Sequence, residues 1–332
     1  MKILFVKLSS LGDVVHAMPA LQDIRRALPQ AQVDWVVEAA FAPLVQRCEG
    51  VSRVIGCDLR RWRKAPLSVQ TRGEWRFFRD ELRRDGYDAI IDLQGLTKSA
   101  LVARVARLAP GGMRYALANR THGSSYEAPT RWIADLALRV DPHVHAVQRS
   151  RELCARALGY CIPAALQYGL RAQEIGDSDA TRAAGKAVVL VHGSSREDKA
   201  WPESHWLETG SRVIAQGGAI ALPHGSEAER ERSQRLALRL GQRAEAWPRL
   251  DLGRLTDRMA QSAGVIGVDS GLSHIAVALD RPHVQIYNFD SMWRTGPPAP
   301  AGNGPVRQRS VFAAPTPSVD DVWRAWEQVC VP

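Results

Sequence analysis

At 332 residues the chain is too long for one ordinary core and suits two domains of about 150 residues each. With 45% hydrophobic and 24% charged residues it has the balance of a globular protein, and its five scattered cysteines (Cys48, Cys57, Cys154, Cys161, Cys330), lacking any C-x-x-C spacing, argue against a disulfide framework and a zinc site. The net charge of +9 is uneven: residues 1–160 hold 25 Lys and Arg against 16 Asp and Glu, whereas residues 161–332 hold 19 of each, so only the first half has reason to meet a large anion.

The chain opens on a buried strand over Lys2–Lys7, a loop over Leu8–Gly12 and a helix over Val14–Leu28 that ends before Pro29. Val33–Val37 reads as a second strand and Asp88–Asp92 as another, followed by a helix through GLTKSALVARVARL. The pattern weakens over Cys161–Gly185, the expected domain junction, and restarts with strands at Ala187–His192, Ala219–Leu222 and Gly264–Val268. The Pro/Gly-rich stretch Gly296–Pro305 reads as a long loop and Val319–Val329 as a closing amphipathic helix. Short strands alternating with helices predict parallel βαβ units, hence an α/β protein of two facing Rossmann-like domains with a cleft between them. No run approaches the roughly 18 apolar residues of a membrane helix, and Lys7 breaks the N-terminal apolar run, so a cytoplasmic protein is expected.

Five constellations could carry chemistry. In SSLGDVVH (Ser9–His16), between strand and helix, Asp13 reads either as a first-turn acid favoured by the helix dipole or as a carboxylate able to take a proton from a hydroxyl, and Gly12 would let the backbone approach a sugar. In GVDSGLSHIAVAL (Gly267–Leu279) a helix beginning near Gly271 offers free N–H groups to a diphosphate, with Ser270, Ser273 and His274 close by; each has an ordinary structural reading, and the combination favours a phosphate site. In SSREDKAWPESHW (Ser194–Trp206), Lys199 could neutralise a leaving diphosphate or be a solvated surface charge. In LPHGSEAERER (Leu222–Arg232), Glu229 could accept from a ribose, though a solvated helix acid explains it as well. The run RRWRK (Arg60–Lys64), with Arg72, Arg76 and Arg79 after it, contributes to the charge asymmetry, and Trp62 and Trp75 could pack against an amphiphile. Neither a G-x-G-x-x-G fingerprint nor a Walker A loop follows the first strand, which argues against a dehydrogenase. A non-catalytic nucleotide- or nucleic-acid-binding module would account for the charge and the Rossmann pattern but not for Asp13.

The segments KLSSLGDVVHAMPAL, DWVVE, RRWRK, DAIIDLQGLTKSALVAR, HAVQRSRELCARALGY, DKAWPESHW and VDSGLSHIAVALDRP together resemble glycosyltransferase family 9, in the same order and over most of the chain. The pairing of RRWRK with HAVQRSREL is more similar to the first-acting heptosyltransferases than to later-acting ones. The resemblance implies a GT-B fold: an acceptor-binding domain over 1–165, a nucleotide-sugar domain over 166–315, and a helix over 316–332 returning to the first domain. It implies inverting transfer of L-glycero-D-manno-heptose from its ADP donor to the Kdo of Kdo2-lipid A, at the cytoplasmic face of the inner membrane, with no nucleic-acid partner, cofactor or essential metal. Asp13 matches the family's catalytic base and Lys199 the residue at the donor phosphates. Ser9, Ser10, Gly12, Ser194, Ser195, Glu229, Asp269, Ser270, Gly271 and His274 match donor-binding positions, with Glu229 at the ribose. Arg60, Arg61, Arg63, Lys64 and Arg120 match an acceptor-binding face. Ser270 stands where relatives often carry Thr, His224 where they carry Trp, and Asn288-Phe289-Asp290 replaces a Thr-Asp-Pro loop.

Overall fold

The computed structural model describes residues 1–174, 187–298 and 306–330. Most of the expected loop 296–305 and part of the expected junction 161–185 lie outside the described residues. The chain divides into two compact units, Met1–Leu170 and Arg171–Pro332.

The first unit holds β1 (Lys2–Val6), β2 (Gln32–Glu38), β3 (Val51–Cys57), β4 (Tyr87–Asp92), β5 (Leu108–Leu117) and β6 (Leu136–Leu138), all parallel, in the order β3-β2-β1-β4-β5-β6. The second holds β7 (Ala187–Val191), β8 (Ala219–Leu222), β9 (Ala244–Ala246), β10 (Gly264–Val268), β11 (His283–Tyr287) and β12 (Gln308–Phe312), again parallel, in the order β12-β11-β10-β7-β8-β9. Each is a doubly wound sheet whose strand order reverses beside its first strand, between β1 and β4 and between β7 and β10. Central strands of such sheets are covered on both faces and so read as unbroken apolar runs: Ile3–Val6 and Ala187–Val191 are buried throughout.

The strands that the sequence pattern does not reveal have a different composition. In β11, His283 and Gln285 alternate with apolar residues, yet all five positions are buried. The chain tolerates this because His283 Nδ1 lies 3.0 Å from the Val265 carbonyl and Gln285 Nε2 is aimed at Asp269. The short edge strands β6 and β9 carry too little pattern to register.

The opening helix begins at Leu11, earlier than expected, so Gly12 lies in its first turn and not in a loop. The closing helix is a correction. Val319, Val322, Ala325, Trp326 and Val329 join the core of the second unit beside Ile266, Val284 and Ile286, so its apolar face is consumed within that unit. The sequence pattern revealed an apolar face but not which core would receive it.

In the first unit, the helix Leu11–Ala27 packs on the helix Ala146–Leu158 through a buried ion pair. Arg151 donates to both oxygens of Asp23, at 2.7 and 3.0 Å, and to the Pro163 carbonyl at 2.6 Å. Asp23→Ala would leave the guanidinium buried without its counter-charge, so unfolding in urea should show the first unit destabilised by about 3–5 kcal/mol; a loss below about 1 kcal/mol would mean that water replaces the carboxylate.

Candidate active site

Both switch points are polar. After β1 the chain runs Lys7, Leu8, Ser9, Ser10 and into the helix Leu11–Ala27. The backbone N–H groups of Leu8 and Ser9 both donate to Gln94 Oε1 at 3.1 Å, which ties the end of β1 to the end of β4. Lys98, in the helix that follows β4, donates to Ser9 Oγ at 3.4 Å.

Asp13 fills the first-turn role, and only one of its oxygens is used for it. Its Oδ2 closes a capping box, accepting from the Ser10 backbone N–H at 3.1 Å and the Ser10 hydroxyl at 2.9 Å. Its Oδ1 stands 3.8 Å from both Lys7 Nζ and Arg149 Nη2, and the side chain keeps 28% exposure. Burial alone would raise its pKa, but Lys7, Arg149 and His16, with the Ser10 hydroxyl, outweigh it and hold the carboxyl far below the usual carboxylate range. Asp13 is therefore ionised at any physiological pH and partly open to solvent.

Lys7 and Arg149 were not singled out by the sequence pattern, although a signal existed. Lys7 interrupts the run ILFVKL, and a lysine only 1% exposed must be paired. It donates to the Leu93 carbonyl at 3.0 Å and also faces Asp92. Burial pushes the Asp92 carboxyl up to about 6, against N–H bonds from Gln94 and Gly95 and the Ser99 hydroxyl. Glu38, at the end of β2, is also buried. Its pKa is raised, first by burial, with Arg60 and Lys98 opposing, and its Oε1 has no hydrogen-bond partner among the described residues.

In the second unit the segment after β7 meets the loop after β10. Lys199 Nζ donates to Asp269 Oδ2 at 2.5 Å, and Asp269 Oδ1 lies 3.4 Å from both His274 Nε2 and Gln285 Nε2. Burial acts to raise the Asp269 pKa, but His274 and Lys199 together hold the carboxyl far below its ordinary value. Asp269 and Ser270 lead into the helix Gly271–Ala278. Ser270 holds the N-cap position without a side-chain capping bond, and its buried Oγ has no partner among the described residues. The free N–H groups of that first turn, with the ammonium of Lys199 beside them, form a place for an anion. A lysine has three donors, so Lys199 can keep Asp269 and still reach a phosphate.

Glu229 closes the capping box of the helix Glu227–Leu240, its Oε2 accepting from Gly225 N–H at 2.7 Å and Ser226 N–H at 3.2 Å. Its other oxygen reaches the end of β7. A Cβ on Gly193 would stand 2.5 Å from Oε1, so a larger residue there would push the Glu229 carboxylate out of this position. Ser194 accepts from Arg196 N–H at 3.3 Å and Ser195 is exposed. Asn288, one of the departures from family pattern, is a brace. Its side-chain amide donates to the Asp198 and Ala200 carbonyls at 2.9 and 3.0 Å, on either side of Lys199, and accepts from Thr316 Oγ1 at 2.7 Å.

The basic run is only partly available. Arg61 is bound to Asp58 and to Glu74, at 2.8 and 2.6 Å, and Arg120 donates to the Ser124 carbonyl at 3.2 Å; Arg60, Arg63 and Lys64 are exposed. Trp62 is a correction. It is buried against Trp75 and Phe78, with its indole N–H on Glu74, so it is core and not a surface for an amphiphile.

Residues 75–310 match the family model Glycosyltransferase family 9 (heptosyltransferase). Lipopolysaccharide heptosyltransferase 1 of Pseudomonas aeruginosa is 40% identical over 303 residues, covering 89% of this chain and 81% of that protein. The Escherichia coli K12 protein of the same name is 40% identical over 291 residues, covering 86% and 88%. Among solved structures, E. coli heptosyltransferase WaaC with ADP superposes with a TM-score of 0.85 at 33% identity, covering 99% of this chain and all of that one. The same enzyme with ADP-2-deoxy-2-fluoro heptose gives 0.81 at 34% identity, covering 98% and 99%. The doubly wound units and these likenesses define a glycosyltransferase. The chain belongs to glycosyltransferase family 9, and its role is that of a heptosyltransferase in lipopolysaccharide biosynthesis.

The electrostatic account of Asp13 can be tested directly. Lys7→Met removes a cation that favours the charged carboxylate, so the Asp13 titration midpoint, read from its carboxyl-carbon NMR shift, should move up toward the ordinary carboxylate range. An unmoved midpoint would assign the effect to Arg149 and His16 alone.

Proposed function

We propose that the chain transfers L-glycero-D-manno-heptose from ADP-heptose to the Kdo of Kdo2-lipid A, with inversion at the anomeric carbon. The observation that carries this reading is the division of chemistry between the two switch points. One holds an ionised, solvent-reachable carboxylate and the other an anion-receptive helix N-terminus beside a lysine. The solved complexes of the E. coli relative with ADP and with a fluorinated ADP-heptose support a donor of that kind.

In this mechanism the acceptor hydroxyl gives its proton to Asp13 Oδ1 as its oxygen bonds to the anomeric carbon. The bond from that carbon to the diphosphate breaks, and its electron pair leaves with ADP. A carboxylate so well stabilised as an anion is a weak base, so the proton moves late, when the developing oxocarbenium ion has made the hydroxyl acidic. Lys199 and the N–H groups around Gly271 receive the charge of the departing diphosphate, Glu229 accepts from the ribose, and no metal is required. Asp269 and Asn288 position Lys199. Arg60, Arg63 and Lys64 meet acceptor phosphates, which gives the first unit's positive charge a purpose. A lipid-borne acceptor places the enzyme peripherally on the cytoplasmic face of the inner membrane; no helix among the described residues is long and apolar enough to cross a membrane.

The test is ADP release from ADP-heptose, with and without Kdo2-lipid A, in chelator. Acceptor-dependent release is expected; its absence from folded protein that still binds ADP would point to another acceptor. Asp13→Ala should lower kcat by about 10²–10⁴-fold with ADP affinity nearly intact, and near-normal turnover would remove Asp13 from the role. Lys199→Ala should weaken ADP binding roughly 10–100-fold and lower kcat as well, as calorimetry and initial rates would show. Unchanged values would sink that assignment.

A further inference from the structure

The segment that follows the basic run carries large apolar side chains on the outside. Leu67, Val69 and Phe77 are 77%, 88% and 71% exposed. Val69 and Phe77 lie on the helix Val69–Arg83, whose inner face is already satisfied by Thr71, Phe78 and Leu82. At 100° per residue, Val69, Arg72, Arg76 and Phe77 lie on the outward side of the helix, opposite Phe78 and Leu82; the acid on that side, Asp80, is already paired with Arg79 at 2.9 Å. Gly73 lies on the same side and leaves the surface open beside Phe77, which rims a hollow of about 350 Å³ over Trp62 and Phe78. Leu238 and Trp132 are as exposed but stand apart, whereas Leu67, Val69 and Phe77 cluster within one short stretch, and clustered exposed apolar side chains mark an interaction surface.

The charges around them identify the occupant. Arg72 and Arg76 are exposed, and among the described residues neither has a carboxylate within salt-bridge distance, whereas Arg61, Arg79 and Arg84 nearby all do; Arg72 donates instead to the Leu67 carbonyl, at 3.1 and 2.8 Å, and keeps its charge uncompensated. Apolar side chains interleaved with unpaired cations on one helix face match the boundary of an anionic bilayer, where headgroup phosphates lie over acyl chains. A second copy of this chain fits poorly, because a two-fold contact through this face would set Arg72 and Arg76 against themselves.

We propose that the outward face of residues 67–77 docks on an anionic lipid surface, with Leu67, Val69 and Phe77 entering the interface and Arg72 and Arg76 meeting headgroup phosphates. The proposal rests on the lipid-borne acceptor only for its purpose; docking itself needs no acceptor. It orients the first unit so that the neighbouring Arg60 and the β1 switch point serve a sugar that protrudes from the membrane.

The test is co-sedimentation of the full chain with acceptor-free vesicles of phosphatidylcholine, with or without phosphatidylglycerol. Binding should require phosphatidylglycerol and fall with salt. The triple variant Leu67→Ser, Val69→Ser, Phe77→Ser changes only exposed side chains and should keep the circular-dichroism melt while binding at least about tenfold more weakly. Arg72→Glu with Arg76→Glu should abolish the phosphatidylglycerol dependence. ADP release with a deacylated, water-soluble acceptor should be unchanged in the triple variant, and release with vesicle-embedded acceptor should fall. Wild-type binding retained in the triple variant overturns the proposal, as does no binding of the wild type to anionic vesicles. So does a concentration-dependent dimer, seen by sedimentation velocity, that the triple variant loses. If vesicle binding behaves as expected but no acceptor releases ADP, the heptose-transfer reading fails and the docking surface stands.

Discussion

Parallel strand pairing with a reversal of order is the constraint on which the remaining features depend. Because every strand in a sheet points the same way, the loops that follow the strands gather along one edge. Where the order reverses, two such loops diverge and leave a crevice. In the first unit the crevice is spanned by Gln94, which accepts from Leu8 and Ser9, and by the bond from Lys98 to Ser9. In the second it is spanned by Lys199 on Asp269. Residues distant in sequence thus become neighbours, and each unit acquires its polar centre at the corresponding place.

The cost of this arrangement is buried charge. Lys7 and Asp92 sit where water does not reach, and Asp13 and Arg149 are only partly or hardly exposed. An isolated ion there would be prohibitive, so the groups satisfy one another, two cations serving two carboxylates. The division of the field is unequal. Asp13, with Lys7, Arg149 and the Ser10 hydroxyl, is held firmly ionised, while Asp92, enclosed more completely, is pushed up to about 6. Two aspartates within one network therefore differ in character because Lys7, Arg149 and His16 outweigh burial at Asp13, whereas burial outweighs Lys7 and the hydrogen bonds at Asp92. The second unit uses the same device, with Asp269 fixed between Lys199 and His274 at the mouth of a helix.

Precision at these centres is supplied by small local devices. Capping boxes at Ser10–Asp13 and Ser226–Glu229 fix one oxygen of each acid on backbone N–H groups and leave the other to face Lys7 and Arg149 in Asp13 and the chain at Gly193 in Glu229. Gly193 admits Glu229 to the end of β7, and Asn288 clasps the backbone on both sides of Lys199. Asn288, where the chain departs from the family loop, is therefore part of the support for Lys199.

The sequence by itself determined the α/β class, the strands β1, β2, β4, β7, β8 and β10, and the strand–helix junctions at which Asp13 and Asp269 lie. Those features are local: an apolar run long enough for a buried strand, followed by a cap and a helical period, is readable within a dozen residues. Tertiary structure alone decided the rest. It showed that β11 hides His283 and Gln285 in a core because each has a partner brought by another strand, and that Trp62 is interior because Trp75 and Phe78 close over it. It placed the closing helix in the second core, and it set Lys7 and Arg149, far apart in the chain, at equal distance from one carboxylate oxygen. Each of those outcomes depends on which surfaces and charges meet across long separations, and a linear pattern carries the propensity of a residue without the identity of its neighbour.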